Sequence, residues 1–292
     1  MKILVTGGNG QLGCEINQLS SNYNYDWLFT DTDIFDISDL ININVFLDKC
    51  NPDVIINCAA YTLVDNAEDD FNTANTINHK SVELIAEWSN NNNCKLIHIS
   101  TDYVFDGNKS QPYNELDHVN PVGVYGKSKR DGELAVINSD IDGVVIRTSW
   151  LYSSYGDNFV KKILDLGLAK KELRIVFDQL GTPTYARDLA KICLNIICKN
   201  SSNKISEKRK IYHYSNEGIA SWFDFASEII KLGTIVCKVV PILTKEFPTK
   251  AKRPHYSVLD NTNIKNDFNI EIPNWRDSLK ACILKINKNK DQ

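Results

Sequence analysis

Tyr125 and Lys129 stand four residues apart in the run PVGVYGKSKRDGEL (121–134), after Pro121 and Gly123. On a helix, residues at that spacing share a face, so the ammonium can lie near the phenol ring. A free tyrosine keeps its proton to pH about 10. A neighbouring cation stabilises the phenolate and brings that value toward the working range. Such a phenol can give a proton to a carbonyl oxygen while a hydride arrives at the carbon. The ammonium can also hold the hydroxyls of a nicotinamide ribose. A Tyr-x-x-x-Lys pair is common on protein surfaces, so the elements around it must decide whether it does chemistry.

The first of those elements is a strand, KLIHIS (95–100), which ends in Ser100-Thr101-Asp102. If the strand belongs to a parallel sheet, Thr101 lies at the carboxyl edge, where ligands of such folds bind. There its hydroxyl can donate to a substrate oxygen and align the phenol. The plainer alternative is a strand-ending Ser-Thr that caps the next turn.

The second element is a glycine loop. Gly7, Gly10 and Gly13 follow the run KILVT (2–6) and open a helical segment. Lacking Cβ atoms, they permit a tight turn and let the backbone and helix N-terminus approach a pyrophosphate. An acid closes the next strand at Asp31, where a carboxylate can accept hydrogen bonds from adenosine-ribose hydroxyls and repel a 2′-phosphate. No Arg or Lys lies between Thr30 and Leu40 to hold such a phosphate. The expected cofactor is NADH or NADPH, with NADH favoured.

Strand and helix signals alternate through the first half. YDWLFTD (25–31), VIIN (54–57), KLIHIS and GVVIRTSW (143–150) read as further strands after KILVT. SDLININVFLDKC reads as a helix capped by Ser38, and the stretch from about Asn66 to Trp88 as one long helix. Near-continuous apolar strands separated by helices predict an α/β fold: a Rossmann-like, doubly wound parallel sheet covered on both faces. Residues 1–150 are expected to form the dinucleotide-binding domain, with further elements contributed from about 170–215. RIVF (174–177) and IYHYS (211–215) read as strands there, and ARDLAKICLNII as a helix. Residues 151–292 should be mainly a smaller C-terminal α/β lobe that binds substrate, and 199–210 a polar surface loop.

Bulk properties narrow the function. A chain of 292 residues with net charge −4 and scattered basic residues offers no surface for nucleic acid. Its eight cysteines have no Cys-x-x-Cys spacing, and several lie in apolar runs, such as Cys58 and Cys193. That pattern implies small buried hydrophobes in a reducing compartment. The five histidines do not cluster with the cysteines, so no metal is expected. The chain opens directly on a strand, leaving no room for a signal peptide, and no apolar run reaches membrane-spanning length. A cytoplasmic protein with no membrane partner is expected.

At this level of detail the chain resembles the extended short-chain dehydrogenases and, within them, the dTDP-4-dehydrorhamnose reductase family. The residues that carry the resemblance run nearly end to end: GGNGQLG (7–13), DIFDISD (33–39), NCAAYTLVDNAE (57–68), STDYVFDG (100–107), VYGKSKRDGE (124–133), RTSW (147–150), DQLGTPT (178–184) and KRPHYSVLD (252–260). The resemblance implies reduction of the C4 ketone of a nucleotide-linked 6-deoxy sugar by NAD(P)H. It implies a catalytic trio of Thr101, Tyr125 and Lys129, and a pyrophosphate loop of Gly7, Gly10, Gln11 and Leu12. Asp36 and Ile37 would flank the adenine, and Ala59, Ala60 and Tyr61 would lie beside the cofactor ribose and phosphate. Asp102, Tyr103 and Trp150 would line the sugar pocket.

Within related enzymes, sugar-nucleotide dehydratases place Asp-Glu after the threonine to remove a C5 proton. Here the second position is Tyr103, a poor base at neutral pH, so dehydration is disfavoured. A UDP- or GDP-linked substrate, an acetamido sugar included, stays open, as does a non-catalytic cofactor-binding subunit on the same fold. Some family members dimerise around Mg²⁺ held by glutamates. Glu15 is present, but Arg187 stands where a second such glutamate would lie, and a guanidinium cannot ligate a cation. A homodimer is compatible with the sequence without that metal.

Overall fold

The computed structural model describes residues 1–199 and 210–290. β1 (Lys2–Thr6), α1 (Gln11–Ser20), β2 (Asp26–Thr30), α2 (Asn42–Cys50) and β3 (Val54–Asn57) open the chain. Three helical pieces follow, α3 (Val64–Ala67), α4 (Phe71–Asn75) and α5 (Ser81–Asn91), the last two joined by a π-helical turn over Thr76–Lys80. They lead to β4 (Lys95–Thr101), a short 3₁₀ turn over Asp102–Val104, α6 (Val124–Asn138) and β5 (Gly143–Thr148). The second half holds β6 (Leu151–Tyr152), α7 (Phe159–Ala169), β7 (Glu172–Val176), β8 (Leu180–Gly181), β9 (Thr184–Tyr185), α8 (Ala186–Lys199) and β10 (Ile211–His213). It ends in β11 (Ala220–Ser221), α9 (Trp222–Leu232), β12 (Lys238–Ile242), α10 (Thr262–Phe268) and α11 (Trp275–Lys290).

The six-stranded sheet has the order β10-β5-β4-β3-β1-β2, with every pairing parallel. From β1 the chain first moves outward to β2, then crosses back to β3 and continues the other way. That reversal opens a crevice at the carboxyl ends of β1 and β3. The strands bury both faces, as their unbroken apolar runs require. Ile3 and Val5 point to a layer with Ile16 of α1 and Leu189 of α8, while Leu4 points to Leu47 of α2, Ile85 of α5 and Val136 of α6. Each fully buried Ile or Leu contributes about 1.5–3 kcal/mol. A separate core of Tyr152, Ile163, Phe225, Trp275 and Leu279 holds the C-terminal lobe together.

Three local expectations are corrected. The helix expected to start at Ser38 begins at Asn42, because the Ser38 hydroxyl and backbone N–H both donate to Asp36 Oδ1 in a turn. The expected long helix over 66–88 is divided. Asp70 accepts from Thr73 N–H and starts α4 afresh, and the π turn places Asn78 inward. The strand at 174–177 forms as β7, but it pairs with β12 in the C-terminal lobe instead of joining the main sheet. Most of the loop expected at 199–210 lies outside the described residues. No helix among those described is long and apolar enough to cross a membrane.

Candidate active site

The crevice at the sheet edge is a cleft of about 780 Å³, lined at one end by Gly7, Gly10, Asp31 and Ile37 and at the other by Tyr103, Trp150, Phe159 and Trp222. Gly7 sits at φ +63°, and a Cβ there would strike the backbone of Ala59. A Cβ at Gly13 would strike Gly7 and Gly8, so the first turn of α1 is seated against the loop as only glycine allows. Gly10, the residue before α1, has no side chain to cap it. The first amide groups of α1 therefore face the cleft end with the helix dipole behind them, a fit for a pyrophosphate. Four buried polar atoms on the cleft wall, Gln11 Oε1, Ser100 Oγ, Asp102 Oδ2 and Thr148 Oγ1, have no hydrogen-bond partner in the protein. Buried polar atoms are normally paired, so these are suited to a polar ligand.

Asp31 closes β2 at the cleft rim, and its carboxylate accepts Asn9 N–H at 3.0 Å and Thr32 N–H at 2.9 Å. It therefore props the glycine loop. Asp36, Ile37, Gln11, Leu12, Ala59 and Ala60 also line the cleft. Tyr61 does not. Its backbone is held by Asn78, whose Oδ1 accepts Tyr61 N–H at 2.9 Å and whose Nδ2 donates to Tyr61 O at 3.0 Å. Thr62, Leu63 and Val64 take the wall positions beyond it.

Thr101, Tyr125 and Lys129 meet on the cleft wall at the end of β4. The Thr101 hydroxyl donates to Asp102 Oδ1 at 3.1 Å and hydrogen-bonds the Tyr125 phenol. The Tyr103 ring packs edge-on against the Tyr125 ring at 5.6 Å between centroids. Lys129 is 2% exposed, and its Nζ donates to Ile99 O at 2.7 Å. The ammonium is thus turned to a backbone carbonyl, while burial pushes the Tyr125 phenol up, opposed by the Thr101 hydrogen bond and reinforced by Asp102 and Tyr103. Burial likewise pulls the Lys129 ammonium down to about 8, against the upward pull of the Glu133 carboxylate and Cys58. Burial also pushes the Asp102 carboxyl up to about 6, while the Ser257 and Thr101 hydroxyls pull it down.

α6, which carries Tyr125 and Lys129, is positioned by residues that carry no motif of their own. α6 starts at Gly123, which cannot cap it, and Glu68 Oε1 instead accepts Val124 N–H at 2.9 Å. Asn78 Nδ2 donates to Ser128 Oγ, which in turn donates to Tyr125 O at 2.9 Å. Gly126 lets α6 touch the 3₁₀ turn, since a Cβ there would land on the Tyr103 carbonyl oxygen. Gly126→Ala is therefore expected to cost about 1–3 kcal/mol of stability. By moving Asp102 and Tyr103 away from Tyr125 it should also lower kcat/KM by about 100-fold. Thermal melts and steady-state kinetics on the same sample check both.

Trp150 adopts φ +47°, an uncommon conformation for a bulky residue. It is fixed there by Gly181, which leaves room for the indole, and by Trp222, whose ring stacks on it at 3.6 Å and 9°. Trp222 opens α9 in the C-terminal lobe, and nothing in its sequence surroundings marks it as part of the site. Away from the cleft, Glu15 is wholly buried; its Oε1 accepts Ser153 Oγ at 2.7 Å, and its Oε2 meets Arg187 Nη1 at 3.2 Å and Lys285 Nζ at 3.1 Å. Two cations thus already compensate that carboxylate.

The comparisons with known proteins bear on this cleft as a whole. The family described as RmlD substrate binding domain matches residues 1–288. A dTDP-4-dehydrorhamnose reductase of Aggregatibacter actinomycetemcomitans is 39% identical over 96% of this chain and 97% of its own. The spore coat polysaccharide biosynthesis protein SpsK of Bacillus subtilis is 37% identical over 97% and 96%. Among solved structures, a dTDP-4-dehydrorhamnose reductase from Clostridium acetobutylicum superposes with TM-score 0.92 at 40% identity, covering 98% of this chain and 100% of that one. One from Bacillus anthracis, in complex with NADP, gives 0.91 at 34% identity, covering 97% and 99%. Similarity that spans both chains from end to end carries the glycine loop, α6 and the C-terminal lobe together, and so the chain belongs to the family described as RmlD substrate binding domain.

Proposed function

We infer that the chain is an NAD(P)H-dependent reductase of the C4 ketone of a nucleotide-linked 4-keto-6-deoxyhexose, with dTDP-4-dehydro-L-rhamnose as substrate and dTDP-L-rhamnose as product. The observation that carries this reading is the convergence of Thr101, Tyr125 and Lys129 on one wall of the cleft, beside a glycine loop built for a pyrophosphate. The relatives named dTDP-4-dehydrorhamnose reductase supply the substrate class. Residues 1–150, with α8 and β10, serve as the dinucleotide domain, and the remainder of 151–292 serves mainly the sugar nucleotide.

Gly7, Gly10, Gln11 and Leu12 would hold the dinucleotide's pyrophosphate, Asp31, Asp36 and Ile37 its adenosine, and Ala59, Ala60 and Lys129 its ribose and phosphate. Bound NAD(P)H supplies a hydride to C4. Tyr125, held protonated by burial through neutral pH, donates its proton to the ketone oxygen. The Thr101 hydroxyl aligns the phenol and the carbonyl oxygen. The Lys129 ammonium stabilises the phenolate left behind, and reprotonation from solvent resets the site. Asp102 Oδ2, without a partner in the protein, accepts from a sugar hydroxyl.

Oxidation of NADH in the presence of the 4-keto sugar nucleotide, followed by nicotinamide absorbance, tests the reading; no oxidation with dTDP-, UDP- or GDP-linked 4-keto sugars overturns it. Asp31 and the lack of cations from Thr32 to Leu40 favour NADH. A kcat/KM for NADH about tenfold above that for NADPH is expected, narrowing in Asp31→Ala. Equal values in the wild type would remove that part.

A further inference from the structure

Two diphosphates must enter this cleft if the proposed function holds, and the next step rests on that reading. The α1 N-terminus serves one of them. The titratable groups on the cleft wall are Asp31, Asp36, Asp102, Asp157, Cys58, Tyr103, Tyr125 and Lys129. Four of these are carboxylates, and the single ammonium is buried and bonded to Ile99 O. The wall thus repels a second diphosphate unless a cation reaches it from the rim.

Arg253 is placed to do so. It lies on the segment of the C-terminal lobe that crosses the 3₁₀ turn, where Pro254 packs on Gly107. Its Nη1 donates to Tyr103 Oη at 3.2 Å, and its Cζ stands 5.9 Å from the Tyr103 ring centroid. Tyr103 in turn packs on Tyr125, so one aromatic ring separates the guanidinium from the proton donor. Its Nη2 donates to Asp65 Oδ2 at 2.5 Å, and Asp65 follows the cleft-lining residues Leu63 and Val64. The guanidinium side chain retains 19% exposure. A planar fork with donors to spare, resting on a half-exposed carboxylate, is suited to bidentate capture of a diphosphate.

We propose that Arg253 anchors the diphosphate of the nucleotide-sugar substrate, exchanging Asp65 for phosphate oxygens when the substrate binds. Asp65 acts as the guanidinium's resting partner and competes with the anion. Its removal therefore acts in the opposite direction from removal of Arg253.

The test is calorimetric titration of the full chain with dTDP, and with thymidine as the uncharged control, alongside steady-state kinetics. Arg253→Met is expected to weaken dTDP about 10- to 100-fold and to raise KM for the sugar nucleotide similarly. Its kcat should fall far less, and affinity for NADH and for thymidine should hold. Arg253→Lys should recover part of the loss. Asp65→Asn should bind dTDP more tightly than the wild type, which a merely structural contact between the two residues would not produce. Unchanged dTDP affinity in Arg253→Met, or weakened affinity in both Arg253→Met and Asp65→Asn, overturns the proposal. The substrate reading fails separately: Arg253-dependent dTDP binding without turnover of any 4-keto sugar keeps the anchor and removes the reaction.

Discussion

Tyr125→Phe is expected to lower kcat by about 1,000-fold, with KM for the sugar nucleotide and affinity for NADH changed less than about threefold. The phenol lines the cleft, burial holds its proton firmly at neutral pH, and Lys129 follows it by one turn on the same helix. Phenylalanine keeps the ring that Tyr103 packs against, so the walls of the cleft should not move. What it deletes is one hydroxyl hydrogen-bonded to Thr101, a loss of about 1 kcal/mol of stability at most. Rapid mixing of the variant with NADH and substrate, set beside a fluorescence titration of NADH, separates chemistry from binding. Equal loss of both would mean that Tyr125 builds the cofactor site and gives no proton. Thr101→Val, which keeps shape and removes the aligning hydroxyl, should lose less than Tyr125→Phe.

The parts of the site that could be read from the residues alone are those whose chemistry is local. Gly7 and Gly13 declare a close backbone approach because a Cβ at either would strike neighbouring backbone. β1 and β3 have the expected limits because short apolar runs buried on both faces leave no alternative partner. Thr101 and Tyr125 are brought together by the sheet order, which follows from the alternation of strands and helices. The electrostatic link between Tyr125 and Lys129 was legible only as proximity. Helical spacing puts two side chains on one face, but a four-carbon stem takes its ammonium to the nearest unsatisfied acceptor, here the Ile99 carbonyl.

What could not be read is what acts at long sequence separation. Glu68 caps a helix that begins 56 residues later, and Arg253 reaches a tyrosine 150 residues earlier. Neither pairing leaves a periodic trace. Asn78 is hidden for another reason. A π turn has the composition of an ordinary helix, so the sequence from 66 to 88 reads as continuous while the extra residue turns an amide inward to hold Tyr61 and Ser128. Such bulges often sit at functional sites, and this one positions the helix that carries the proton donor.

Glu133 lies one turn beyond Lys129 on α6, and the second large effect is expected from its pairing with Arg147 on β5. The fork is bidentate, Nε to Oε1 at 2.8 Å and Nη2 to Oε2 at 2.7 Å, with both side chains 1% exposed. Arg147 also stacks on Phe105, and its Nη1 donates to Nε2 of His213 at 3.3 Å. Burial pulls the His213 ring down to about 3, reinforced by Arg147, so it is neutral and free to accept there while Nδ1–H donates to Tyr113 O. Arg147→Met would strand a buried carboxylate, at a cost of about 3–5 kcal/mol and a Tm lower by about 10 °C. Glu133→Leu combined with Arg147→Met removes both charges and should recover most of that loss, since an apolar pair of similar volume is often as stable. The chemistry should not recover with it. Glu133 holds the Lys129 ammonium up against burial, so its loss lets the ammonium deprotonate at lower pH. If protonated Lys129 is the form that stabilises the phenolate, wild-type kcat declines as pH rises through about 8, and in the double variant that decline begins at lower pH. A recovered Tm with an unmoved pH profile would separate Glu133 from the proton donor and leave it a purely structural charge.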